Sequence, residues 1–196
     1  MDDPKQTETE PVYSYKPSLA GTPWVLRLAP HDLIWNRGRH SGRLPYRDVA
    51  RIRLSFRPVT MQTRRFLTEV WGPGAPKLVI ASASWKGLVE QETLVKSYSE
   101  FVTALHARIT AAGGRPRCEI GLHPLLYWPG VIVYAAVLLG LAALIVRALQ
   151  VASYPGALFI AGFFALFAWQ LGNFFKLNKP GRYQSDAPPQ ALLPRG

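Results

Sequence analysis

The sequence predicts an α+β protein in two parts: antiparallel strands closed by one amphipathic helix, then a hairpin of two apolar helices. Three observations carry this expectation. Short runs rich in β-branched and aromatic residues follow one another from Trp24 to Ser84, interrupted about every ten residues by turn signals. From Leu94 to Ile109 the apolar period lengthens to three or four residues. From Pro124 to Phe175 the chain is almost wholly apolar.

Composition sets the frame. The 196 residues carry 23 Lys and Arg against 12 Asp and Glu, a formal net charge of +11, and 48% are hydrophobic. That length can bury a real core, and that charge suits an anionic partner. The single cysteine, Cys118, rules out an internal disulfide and leaves no thiolate cluster for a metal. No cofactor is expected.

Residues 1–21 hold charge, Pro, Ser and Thr with little to bury, so they read as a flexible tail without the apolar core of a signal peptide. A soluble domain is expected over 22–116. Its strands are "WVLRLA" (24–29), "LIWNRG" (33–38), "GRLPYRDV" (42–49), "RIRLSF" (51–56), "RRFLTEVW" (64–71) and "KLVIASAS" (77–84), separated by "APHD", "GRHSG", "RPVTMQ" and "GPGAP". In "RIRLSFRP" the parity places Ile52, Leu54 and Phe56 on one face and Arg51, Arg53, Ser55 and Arg57 on the other.

The helix follows. Leu94, Tyr98, Phe101, Val102, Leu105 and Ile109 line one face of a helix of about twenty residues. Glu90 and Glu92 are expected in its first turn and Arg108 in its last, each matching the helix dipole. Gly113 and Gly114 supply the stop.

A transmembrane hairpin is expected over 117–176, with spans at 125–146 and 154–175. Each holds about 22 uncharged residues, enough for a hydrocarbon core of about 30 Å. The alternative is a pair of buried core helices. Tyr127, Trp128 and Trp169 suit interfacial belts, and the connector "RALQVAS" carries only Arg147. Arg115 and Arg117 precede the hairpin and Lys176, Lys179 and Arg182 follow it, so the positive-inside rule puts both termini in the cytosol. Ala136 and Gly140 on the first span, and Ala157, Ala161 and Ala165 on the second, are spaced by four and suit close helix packing or self-association. Gln170 and Asn173 read as interfacial amides rather than an intramembrane polar site. Residues 177–196 read as a second flexible tail.

The arginines are the functional candidates. Arg37, Arg39, Arg43, Arg47, Arg51, Arg53, Arg57, Arg64 and Arg65 face a single acid, Asp48, over the same stretch. Arginine binds phosphate and carboxylate in a bidentate fork, and a basic residue beside an anionic leaflet contributes roughly 1 kcal/mol of attraction. A merely solvated cationic face is the competing explanation. Nucleic acid is the weaker reading: Trp35, Tyr46, Phe56 and Phe66 interleave with the arginines, but no zinc ligands, helix-turn-helix or RNP-like run is present.

No catalytic constellation appears. His31, His40, His106 and His123 form no metal-binding or catalytic spacing, and P-loop, nucleophile-elbow and dinucleotide motifs are absent. His106 is expected to be partly exposed on the helix, and Cys118, a lone juxtamembrane cysteine, to be inert; a thiol pKa lowered by the nearby arginines, or lipidation, is the alternative. A non-enzymatic protein is expected.

"DLIWNRGRHSGRLPYRDVARIRLSF", "KLVIASAS" and the helix containing "SYSEFVTALHARI" resemble, in strand order and apolar positions, the bacterial pleckstrin-homology-like (PH-like) domains often joined to two transmembrane helices. The resemblance covers about residues 22–113. It implies an antiparallel PH-like β-barrel capped by one C-terminal helix, in the bacterial cytoplasmic membrane. It also implies a binding or scaffold module that contacts anionic lipid headgroups or an acidic protein partner. An accessory subunit of a larger membrane enzyme or transporter is the alternative. Arg27, Arg37 and Arg39 fall on the hairpin through which some members bind phosphoinositides, with arginine where lysine is usual.

Overall fold

The structure, a computed structural model, describes residues 10–18, 20–58, 65–86 and 91–193. It divides into two compact units, one formed by Met1–Glu119 with Arg182–Gly196 and the other by Ile120–Gly181.

The first unit opens with four consecutive antiparallel strands, β1 (Val12–Tyr15), β2 (Trp24–Leu28), β3 (Asp32–Arg37) and β4 (His40–Pro45). Their burial alternates as a one-sided sheet requires. Tyr13, Tyr15, Leu26, Leu28, Leu33, Trp35 and Leu44 are buried, while Val12, Val25, Asn36 and Arg43 are exposed. The turn between β3 and β4 uses Gly38 at φ +62°, a conformation that costs glycine little. β1 lies in the stretch expected to be a loose tail. Its signal was local: "VYSY" alternates strictly and is bounded by Pro11 and Pro17.

A 3₁₀ turn over Tyr46–Asp48 leads into the second sheet, β5 (Arg51–Phe56), β6 (Phe66–Trp71) and β7 (Leu78–Ala81), again antiparallel in sequence order. Ile52, Leu54 and Phe56 are buried, as their parity requires. Ser82 interrupts the predicted "KLVIASAS" strand, so β8 (Ala83–Trp85) pairs instead with β9 (Gln91–Thr93). Ser82 is buried and its hydroxyl accepts a hydrogen bond from the Phe66 amide at 2.9 Å, closing the end of β6.

Helix α1 (Val95–Ala111) packs Tyr98, Phe101, Val102, Leu105 and Ile109 into the core. Tyr98 and Thr68 share a hydroxyl hydrogen bond at 2.6 Å, and the Phe101 ring lies 5.4 Å from that of Tyr13. The helix is shorter than its periodicity suggested. Glu92 belongs to β9 and its first turn holds no acid, while Glu90 lies outside the described residues. Arg108 is in the last turn and Gly113, at φ +73°, follows the stop. Strand β10 (Arg117–Ile120) then adds beside β5.

The second unit is a hairpin of α2 (Pro124–Gln150) and α3 (Tyr154–Leu177). Both are long and apolar enough to cross a membrane, and none of their most apolar windows is buried, so they are not core helices. They run beyond the expected spans, leaving a connector of 151–153 where Ala152 takes φ +54°. The neck of the hairpin is tight. Gly121 sits at φ +76°, the Leu122 amide donates to the Asn178 carbonyl at 3.0 Å, and a Cβ on Gly121 would collide with that carbonyl.

The short strand β11 (Gly181–Arg182) continues the second sheet, in the order β11-β10-β5-β6-β7. Residues from Arg182 onward belong to the first unit rather than standing apart from it, and a final 3₁₀ turn at Gln190–Leu192 packs against β5 with Leu192 and Leu193 buried.

The predicted closed barrel is not formed. Two open sheets and the β8-β9 pair stand in its place, with no ladder among the described residues between β4 and β5 or between β1 and β7. At the first gap the 3₁₀ turn carries the chain off the strand direction. At the second, side chains do what a backbone ladder would otherwise do. The Tyr13 hydroxyl donates to the Ala81 carbonyl at 2.6 Å and the Tyr15 hydroxyl donates to the Val79 carbonyl. A phenol reaching across holds the strands too far apart for backbone pairing.

Candidate functional site

The candidate arginines do not gather on one face. Arg37 ends β3 and Arg39 is in the turn after it; Arg43 lies on the outer face of β4, and Arg47 in the 3₁₀ turn. These four, with Arg57 after β5, are exposed, and among the described residues no ion pair to a carboxylate engages any of them. Arg64 lies outside the described residues.

Arg51 and Arg53 are different. The Arg51 guanidinium stacks on the Trp71 ring at 3.9 Å, and that of Arg53 sits 5.8 Å from the same ring. Arg53 also donates to Glu119 Oε2, from Nε at 3.1 Å and from a terminal nitrogen, while Arg117 Nε reaches Glu119 Oε1 at 2.9 Å. Burial by itself would raise the Glu119 carboxyl pKa. The Arg53 hydrogen bond and the Arg53, Arg117 and Arg51 charges outweigh it and hold the group below the usual carboxylate range. The middle of the "cationic face" is thus a half-buried ion cluster that joins β10 to β5, committed to structure.

Arg37 and Arg65 border a cleft at the free edge of β7. Its wall includes Tyr15, Trp24, Lys77 and Val79, and its volume is about 420 Å3. Arg37 lies over Trp24 at 5.4 Å.

The aromatics that interleave with the arginines are all core. Trp35, Tyr46, Phe56 and Phe66 are buried, so none is placed to stack on a base. Tyr46 donates to the Ala29 carbonyl at 2.7 Å; burial, ahead of its neighbours' charges, pushes its phenol up to about 12.

The structure overturns the expected exposure of His106 and, for Cys118, the alternative of a lowered thiol pKa. Cys118 is buried, and burial raises its thiol pKa above the ordinary value, against the opposite pull of the Tyr183 and Ser185 hydroxyls. His106 is 2% exposed rather than partly exposed. Its Nδ1 lies 2.8 Å from the Val102 carbonyl and its Nε2 2.9 Å from the Tyr183 hydroxyl. A carbonyl only accepts, so Nδ1 carries the proton and Nε2 accepts from Tyr183. The partner lies 77 positions away, beyond the hairpin, so no local pattern revealed it. No group of His, Cys, Asp and Glu among the described residues could hold a metal ion.

In the hairpin, Ala157 is buried and Ala161 half-buried, whereas Ala136, Gly140 and Ala165 are exposed. A Cβ built on Gly140 would meet nothing within 4 Å. The helices also engage through aromatics: Tyr134 donates to the Ala168 carbonyl at 3.0 Å, and Phe175 packs on Tyr134 and Tyr127 at 5.2 and 5.8 Å. This end-loaded contact was not legible from small-residue spacing.

Neither a family model, nor a curated protein, nor a solved structure matches this chain.

Proposed function

We propose that the chain is a non-enzymatic, membrane-tethered binding module. The hairpin of α2 and α3 crosses a bacterial cytoplasmic membrane with both termini in the cytosol, and the exposed arginines of the α+β domain contact anionic lipid headgroups. The observation that carries this reading is the set of exposed, carboxylate-free arginines Arg39, Arg43 and Arg47 in a chain that also holds two membrane-length helices. A PH-like relationship is supported by the order of four strands, three strands, a two-stranded pair and a helix, as open sheets rather than a barrel. Several basic residues at a charged leaflet, each contributing roughly 1 kcal/mol, are enough to orient a tethered domain.

The test is amide exchange on the full-length protein in nanodiscs of phosphatidylcholine or phosphatidylglycerol. Residues 37–47 are expected to exchange more slowly in the anionic discs. The protection should disappear with added salt and in a variant combining Arg39→Gln, Arg43→Gln and Arg47→Gln. Equal exchange in both discs overturns the reading.

A second reading, an accessory subunit of a larger membrane complex, is favoured by the uncovered Ala136 and Gly140 on α2. It requires a second chain at fixed stoichiometry after detergent extraction, lost on Gly140→Leu.

A further inference from the structure

The cleft at the edge of β7 has a chemistry that the lipid-contact reading does not use. One wall is the outer side of β7 with Lys77 and Val79, and across it lie Tyr15 of β1, Trp24 of β2 and Arg37 of β3. Arg65, the residue before β6, completes the ring of cations. It exists because the two sheets do not close. The Tyr15 phenol spans the gap to the Val79 carbonyl and leaves room beside it.

Two of the three cations in this cleft, Arg37 and Arg65, have no carboxylate partner among the described residues. Lys77 Nζ is paired with Glu69 Oε1 at 2.9 Å, and Glu69 is itself 5% exposed. Arg37 lies over the Trp24 face and has no ion pair to a carboxylate among the described residues. Arg65 Nε is buried and has no hydrogen-bond partner among the described residues. Such an unpartnered buried donor is uncommon, so an acceptor drawn in beside Arg65 as its side chain adjusts would satisfy it. Burial depresses the Arg65 pKa, the nearby Tyr15 phenol opposes that, and Arg57 depresses it further. Arg57 is held close, its amide donating to the Arg65 carbonyl at 2.9 Å.

We infer that the cleft is a binding site for a phosphate group, held by the Arg65 fork with Arg37 and Lys77 beside it and carried on a ligand part that packs against Trp24. Two guanidinium groups, with the Lys77 ammonium shared with Glu69, match a phosphate's charge and its several acceptor oxygens better than they match a single carboxylate. A volume of about 420 Å3 admits more than the bare ion and lies within the range of small-molecule sites. The phosphate has two possible sources, a lipid headgroup or a soluble phosphate ester. The inference does not depend on Arg39, Arg43 or Arg47 touching a membrane.

The experiment titrates inorganic phosphate, at constant ionic strength, into the full-length protein in phosphatidylcholine nanodiscs and reads binding by calorimetry. Saturable binding is expected, weakened at least about tenfold in Arg65→Gln, which loses one charge-assisted fork. Lys77→Gln, at a half-exposed side chain, is expected to weaken it less. The variant combining Arg39→Gln, Arg43→Gln and Arg47→Gln should bind as the parent does, so failure here and failure of lipid contact are separable. A repeat in discs of phosphatidic acid, against phosphatidylserine as the charge control, distinguishes the sources. Loss of soluble phosphate binding only with phosphatidic acid means a lipid headgroup occupies the cleft, and equal affinity in both means a soluble ester does. Equal phosphate affinity in Arg65→Gln and the parent, with both folded by circular dichroism, overturns the inference, as does absence of saturable binding at millimolar phosphate.

Discussion

The two sheets of the α+β unit are built from similar strands but buried differently. β2 alternates buried and exposed residues along its whole length, so the first sheet has one wet face. β6 is buried at every position from Phe66 to Val70, including Thr68 and Glu69, so the second sheet is covered on both. One cover is α1, which reaches the Thr68 side through Tyr98. On the other face, Ser55, Leu67 and Glu69 are also buried, and the chain returning after the hairpin packs its final 3₁₀ turn against β5. The lesson is that this domain is completed by residues from beyond the apolar hairpin.

The sharpest way to break the comparison is to place a charge in each face that is not covered by α1. Leu192→Asp puts a carboxylate at a position 2% exposed against β5, and a loss of about 3 kcal/mol or more is expected. Val25→Asp, on the wet face of the first sheet, should stay within about 0.5 kcal/mol. Urea denaturation of the detergent-solubilised full-length protein, read by tryptophan fluorescence, compares them. Equal, small effects would mean that the C-terminal segment is not part of the folded unit.

The same contrast explains what the sequence disclosed. β2, β3 and β4 of the first sheet were legible because a single buried face writes itself as alternation, and α1 because "SYSEFVTALHARI" keeps one helical stripe, whereas β1 falls in the stretch that reads as tail. The apolar hairpin was legible from length alone. The second sheet's outer cover was not, because Leu192 and Leu193 stand as an isolated apolar pair among prolines, with no periodicity to connect them to β5. For the same reason the parity of "RIRLSFRP" correctly separated Ile52, Leu54 and Phe56 from the arginines, yet gave no sign that Glu119 claims Arg53. Arg65, the center of the phosphate cleft, looked like any other arginine in the run. Its distinction is the buried Nε, which follows from the open seam between β1 and β7.

The ion cluster on β5 sharpens the comparison at intermediate size. Glu119→Gln leaves Arg53, whose side chain is 14% exposed, without its carboxylate, and a loss of about 1–3 kcal/mol is expected. Arg43→Gln on the first sheet removes no partner and should cost little. The acid dependence has a definite sign. The folded-state pKa of Glu119 is depressed, so its contribution is complete above the unfolded carboxylate value of about 4.3 and is lost as pH falls through the folded one. The gap between parent and Glu119→Gln should therefore close on acidification, and a gap independent of pH would remove the ion cluster as its cause.

The smallest effect belongs to the contact between α1 and the returning chain. Tyr183→Phe deletes the hydroxyl that His106 Nε2 accepts, and about 1 kcal/mol is expected from one buried hydrogen bond. His106 itself carries a pH signature. Burial lowers its pKa, and the Val102 carbonyl bonded to Nδ1 opposes this only in part. The unfolded imidazole takes up a proton as pH drops through about 6.5 while the folded one resists, so the unfolded state binds more protons in that window. Stability is full above about pH 6.5 and falls as pH decreases toward the folded pKa. His106→Gln cannot charge, so the advantage of the parent over this variant should shrink between about pH 7.5 and about pH 5.5. A constant advantage would mean that burial leaves the His106 pKa where it is in the unfolded chain, and a growing one that the folded protein favours the charged imidazole, with Nε2 donating to Tyr183 rather than accepting from it.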